Sequence, residues 1–197
     1  MLNNQKRRFP ARAVMAGHLL VLRSVARGEF VDAFDHQDEL VTSFHHAMDD
    51  HEFTWSQSVM IALYVDLRRL ALKADVSLRA KGDIGRLRSG MAADKLRQGF
   101  SKVSNDKSPL QISKKWAAIH VINQIFKLLF SINQLSVGLT NLQRWVETPL
   151  CPNHEEKLEH RGFPISQIVT YKYYSGRLAL FEDKYAGPGP TGMVKRP

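Results

Sequence analysis

His45-His46-Ala47-Met48-Asp49-Asp50-His51 is the run of this chain with the most metal-ligand character. His45 and Asp49, like His46 and Asp50, stand four apart, so each pair shares a face wherever the run is helical. Two histidines and a carboxylate could hold a metal that activates water for hydrolysis. Such a site needs ligands converging in a closed pocket, whereas this run closes an amphipathic segment and flows into a polar turn. It reads as an exposed helix terminus, with no metal, no cofactor and no catalytic residue. The glycine-bearing runs Lys81-Gly82-Asp83-Ile84-Gly85 and Arg88-Ser89-Gly90 lack the spacing of a phosphate loop. Lys172 and Arg177 beside Tyr171, Tyr173 and Tyr174 could make an aromatic-basic platform for single-stranded RNA, although tyrosines inside a helical hairpin more often belong to its core. Cys151, the single cysteine, excludes an internal disulfide and stands in no motif.

The elements that would carry these residues are all helical. After Pro10, residues 11–27 predict a helix with Val14, His18, Val21/Leu22 and Val25 on one face, stopped by Gly28. A second follows at once, with Phe30, Phe34, Val41, Phe44 and Met48 at helical spacing. Gly28-Glu29-Phe30-Val31-Asp32-Ala33 matches the Gly-x-aromatic-x-x-Ala turn of tetratricopeptide-type hairpins. Further helices are expected at 54–74 (Val59, Leu63, Leu67, Leu70), 83–102, 113–135, 135–146 (Leu139, Leu142, Val146) and 165–181. The fifth is the most telling. Ile119, Ile122, Phe126 and Leu129 form one apolar stripe, and Ala118, Val121, Ile125, Leu128 and Ile132 a second. Only a narrow line through His120, Gln124, Lys127, Ser131 and Gln134 stays polar. A surface helix has one apolar face, so a helix apolar on two sides must be covered on both, as in stacked hairpins. The expected fold is therefore all-α, a tetratricopeptide-like α-solenoid of stacked antiparallel hairpins with about seven helices. Phe30, Phe34, Trp116, Ile119, Phe126, Phe130 and Tyr174 are its expected core aromatics and aliphatics.

Residues 1–10 read as a basic tail, 11–185 as the helical domain and 186–197 as a disordered proline- and glycine-rich tail. Glu182-Asp183-Lys184-Tyr185 looks like one more hairpin turn, yet Gly187-Pro188-Gly189-Pro190 follows where a partner helix should, which predicts a shortened chain. No apolar run reaches membrane-spanning length, so no membrane insertion is expected. Charge is segregated along the sequence. Residues 1–28 hold six Lys/Arg and no acid, 29–66 nine acids and no Lys/Arg, and 68–107 eleven basic residues against four acids. With a net charge of +9, these basic faces suit an acidic protein or a nucleic-acid backbone. The candidate contacts are Arg68, Arg69, Arg86, Arg88, Lys114, Lys115, Lys127 and Lys172. Ser113 is placed to cap the fifth helix, and Lys114-Lys115 in its first turn oppose the dipole, which points to a partner.

Three blocks carry a resemblance. They are Ser113-Lys114-Lys115-Trp116 with Val121-Ile122-Asn123-Gln124-Ile125-Phe126-Lys127, Ile132-Asn133 and Leu135; Val169-Thr170-Tyr171-Lys172-Tyr173-Tyr174 with Gly176-Arg177 and Phe181; and Glu29-Phe30, Ala33 and Ala62-Leu63-Tyr64-Val65-Asp66-Leu67-Arg68. Together they resemble the PCI-domain subunits of the nuclear-pore-associated transcription and mRNA-export complex, also called signalosome-subunit-twelve-like. The resemblance implies helical hairpins leading into a C-terminal winged helix, which this chain would stop before. It also implies a non-catalytic subunit that binds a large export scaffold and a small acidic subunit, in an assembly that engages RNA or DNA. The implied location is the nucleus near the pore, with some cytoplasmic presence. The alternatives are a basic helical module that binds RNA or DNA directly, and a subunit of a signalosome- or proteasome-lid-type assembly.

Overall fold

The computed structural model describes residues 2–48, 57–83, 85, 87–108, 113–134 and 163–185, with backbone only at 2–11, 13 and 182–185. Among these residues there are six α-helices, one 3₁₀ turn and no strand. The helices are α1 (Leu2–Ala26), α2 (Phe30–Ala47), α3 (Gln57–Ala80), α4 (Arg88–Ser104), α5 (Ala118–Ser131) and α6 (Ile165–Tyr185), with the 3₁₀ turn at Lys114–Ala117 leading into α5. The fold is an all-α stack.

Three of the helices, α1, α3 and α5, close on a residue in left-handed geometry. Gly28 (φ 76°) and Gly82 (φ 77°) take left-handed geometry just past α1 and α3. Behind each, two tight backbone bonds close a Schellman motif: Glu29 N to Ser24 O with Gly28 N to Val25 O, and Asp83 N to Leu78 O with Gly82 N to Arg79 O. Asn133 (φ 53°) closes α5 in the same way.

Several expected boundaries shift. α1 begins at Leu2 instead of after a tail, running through Pro10. α3 runs on to Ala80, since nothing before Gly82 stops it. α4 starts late, at Arg88, after an extended Leu87 (φ −68°, ψ 136°). Residues 182–185, expected as a turn, are the last turn of α6. The helix expected at 135–146 lies outside the described residues, as do the 186–197 tail and Cys151.

Packing follows the order of a helical-hairpin array: α1 on α2, α2 on α3, α3 on α4 and α4 on α5, with α2 also touching α4 and α3 touching α5. Direction can be read from the contacts. Gln37 Nε2 donates to Leu63 O (2.9 Å) while Lys73 lies over the Phe30 ring, so α2 and α3 are antiparallel. Gln57 reaches Ser113 O and Arg68 reaches Gln124, so α3 and α5 are parallel. α5 and α6 are parallel too: Trp116 meets Phe163, Asn123 donates to Gln167 (2.9 Å to its carbonyl) and Phe130 meets Phe181. Parallel pairing marks next-but-one neighbours in such an array, so the chain leaves this layer at one end and re-enters at the other.

The middle helix is dry on both sides. Ile119, Ile122, Phe126 and Leu129 are buried, and so are Ala118, Val121, Ile125 and Leu128, with Ile132 half-buried. α3 and α4 cover one flank and α6 the other. Phe34, Ile119 and Phe126 are fully buried, whereas Phe30, Trp116, Phe130 and Tyr174 pack at the margin of the core, half-covered. On α1 the expected face is corrected: Val21 and Ser24 are buried and Leu22 is exposed. Gly17 is on the packed side, where Leu40 Cδ1 would lie 2.9 Å from an added Cβ.

Candidate interaction surface

Polar side chains on the middle helix act as pegs between layers. Asn123, wholly buried, donates to Gln167 on α6, and Gln124, also buried, accepts from Arg68 Nε on α3 at 3.0 Å. A buried amide without a partner costs about 1–3 kcal/mol, so both bonds help fix the register of their neighbours. Gln124 Nε2 also meets His120 Nε2 at 3.3 Å. The polar line read from the sequence is thus the floor of a ledge whose wall is Arg68 and Arg69 of α3, with Lys127 a turn beyond Gln124.

This ledge is electrostatically strained. Burial and then the charge of Arg69 hold the Arg68 guanidinium below its ordinary value, although the nearby Tyr174 works in the opposite direction. Burial, Arg68 and Arg69 together lower the Lys127 ammonium. Burial and then Lys127 lower the His120 imidazole. Among the described residues no carboxylate forms an ion pair with Arg68, Arg69 or Lys127. Beside them Arg177 stacks over Phe130 (4.6 Å) and Tyr173 (5.7 Å), carrying a further cation and an exposed ring to the edge. Cations left in mutual repulsion are what an anionic ligand would relieve.

The other candidate contacts separate from this group. Arg88 bonds Asp35 Oδ2 at 3.0 Å, and Lys95 bonds Asp38 at 3.2 Å, so part of the acidic α2 block neutralises the basic face of α4. The Lys114 ammonium binds the Met48 carbonyl just past the end of α2, where a cation complements the helix dipole; its opposition to its own helix is thereby explained without a partner. Lys115 is half-buried in the 3₁₀ turn, its N–H held by Ser113 Oγ (3.2 Å), which is the cap expected there. Lys172 is exposed on α6, away from the buried Tyr171, and Arg86 lies outside the described residues.

His45 has a structural task. It is buried, and its Nε2 lies 2.7 Å from the Tyr64 hydroxyl in the core, where burial pushes the Tyr64 phenol far above its ordinary value. His46 is exposed, and Asp49, Asp50 and His51 lie outside the described residues. Two acids carry weight that the sequence did not signal. Asp75, buried on α3, accepts from the Arg88 and Ser89 N–H groups and so caps α4 from across the layer. Asp106 accepts from Lys114 N (2.7 Å), Ser108 and Ser113 Oγ, tying the α4–α5 connection together.

Comparison with known proteins follows the same lines. The chain is 32% identical over 180 residues to PCI domain-containing protein 2 of Danio rerio, covering 89% of this chain and 43% of that protein. It is 30% identical to PCI domain-containing protein 2 of Xenopus laevis over 180 residues, with the same coverage. With the Protein CSN12 homolog of Neurospora crassa it shares 28% over 192 residues, 86% of this chain and 40% of that protein. The chain therefore spans about two fifths of the length of these relatives. No family model matches it, and no solved structure does.

Proposed function

The chain belongs to the PCI-domain protein family that includes PCI domain-containing protein 2 and the CSN12 homologues, and from that we propose that it is a non-catalytic assembly subunit of an mRNA-export-type complex. In this reading the helical stack holds a large scaffold protein, and the ledge of Arg68, Arg69 and Lys127 receives the small acidic subunit. The setting is the nucleus near the pore. The observation that carries the reading is the ledge itself: the Arg68 guanidinium and the Lys127 ammonium are both lowered, first by burial and then by neighbouring arginine charge, on a polar line that two layers hold in place, with no carboxylate of the described residues paired to them. A surface arranged in this way recruits an acidic segment more readily than it performs a reaction.

The test is co-purification of this chain with the scaffold and the acidic subunit of its own cell. Both are expected to be retained, and Arg68→Glu with Lys127→Glu to release the acidic subunit while leaving the scaffold. Retention of neither would refute the assignment. A second reading, direct binding of RNA or DNA, is favoured by Arg177 over Phe130 and Tyr173 at the ledge's edge. It requires affinity for single-stranded RNA that falls steeply with salt.

A further inference from the structure

A lone carboxylate leaves most of the ledge unused. The Arg68 guanidinium spends its Nε on Gln124 Oε1 (3.0 Å), and Gln124 is itself buried, with its Nε2 against His120 Nε2 (3.3 Å). That bond fixes the guanidinium and leaves its two Nη groups as a fork, which no acceptor among the described residues occupies. One carboxylate, with two oxygens and a single charge, would saturate the fork. Two cations would remain: exposed Arg69, beside Arg68 on α3, and half-buried Lys127, one turn past Gln124 on α5. Neither has an ion-pair partner among the described residues, and burial together with Arg68 and Arg69 holds the Lys127 ammonium below its ordinary value. A phosphate monoester carries three oxygens and a charge of about −1.5 to −2 at neutral pH, so it can take a guanidinium fork on one side and an ammonium on the other. An RNA phosphodiester, with one charge and two unesterified oxygens, matches this arrangement no better than a carboxylate does. α3 packs against α2, α4 and α5, and α5 against α4, α3 and α6, so the ledge belongs to the interior of the array.

We propose that the ledge binds a phosphorylated serine or threonine within the acidic partner segment, the phosphate seated between the Arg68 fork and the Lys127 ammonium with Arg69 beside it. This deepens the reading of the ledge as the seat of an acidic segment, and rests on it. Flanking acids of that segment supply long-range attraction, and the phosphate supplies the specificity. Arg68 is the residue that distinguishes phosphate from general negative charge, because its fork is planar and held in place, whereas a lysine offers a point charge.

Fluorescence anisotropy of labelled, designed acidic peptides tests it against the full chain. The probe carries one central phosphoserine; one twin carries serine there, and another carries a pair of glutamates that matches the phosphate in charge. The phosphopeptide is expected to bind about tenfold or more tighter than either twin. Arg68→Lys keeps the charge but loses the fork, so it should remove most of that advantage with little change to the serine twin. Lys127→Gln should weaken the phosphopeptide by about tenfold, with circular dichroism unchanged. Arg97→Gln, on α4 and paired with Asp94, should change nothing. The proposal is overturned if the phosphopeptide and its twins bind alike, a result that leaves the acidic-segment reading standing. If none of the three binds, that reading falls with it. The proposal is equally overturned if a uridine oligomer binds as tightly as the phosphopeptide, or if inorganic phosphate added to the serine twin restores the full affinity.

Discussion

At the scale of single residues, Gly99 is the tightest point. A Cβ there would lie 2.0 Å from the Tyr64 hydroxyl and 2.6 Å from the ring carbon bearing it. Tyr64 is buried and bonded to His45, so it has no open space to move into. Gly99→Ala gains about 1 kcal/mol of helix propensity but forces an overpacked core, at a cost of about 1–3 kcal/mol or more. The net effect is expected to be destabilising, read as a lowered urea midpoint. Gly90, in the same helix and facing open space, should show the opposite sign, with Gly90→Ala gaining roughly 0.5–1 kcal/mol. Asp106 sets a pH dependence. Burial pushes its carboxyl up, but the Lys114, Ser108 and Ser113 donors outweigh that and hold it below the usual carboxylate range. A group lowered on folding contributes stability above its unfolded value, about 3.9, and loses that contribution as pH falls through its folded value. Asp106→Asn should therefore be less stable than the parent at pH 7, with the gap closing in acid, as urea titrations across pH would record.

At the scale of elements, α5 decides the architecture. Phe126 is wholly buried beneath Tyr171 and Tyr174, and truncating it to alanine should cost about 3–5 kcal/mol in thermal melts. A melting point equal to the parent's would contradict the two-sided packing. That packing was legible in the sequence because two apolar stripes with one polar line leave a helix no other arrangement. The Gly28 turn was legible for a similar reason, since glycine there tolerates a positive φ that other residues resist. Boundaries were harder. The start of α4 depends on Asp75, thirteen residues earlier, supplying its cap, and no local window contains that bond. The ledge was legible only in fragments. The polar line was visible, but Arg68 reaches Gln124 across 56 residues, and only the parallel layer of α3 and α5 brings them together. Charge alone could not separate Arg68 from Arg88 or Lys114, because it does not reveal Asp35 or the end of α2 waiting opposite.

At the scale of the whole molecule, the stack makes the ledge responsive to pH. His120 is lowered by burial and by Lys127, and an anion seated on the ledge would raise it again. Binding of single-stranded RNA or of the acidic subunit should then tighten as pH falls toward and below the ordinary histidine value of about 6.5, and His120→Gln should flatten the dependence; isothermal titration at several pH values would check this. The parallel pairing of α5 with α6 bears on how the protein is made. A ribosome releases α5 well before α6, so a nascent chain holds Phe126 and Phe130 for a time without the rings of Tyr171 and Tyr174 over them. Translation arrested in that interval should yield a sticky intermediate that chaperones retain, and release should coincide with emergence of α6 from the exit tunnel.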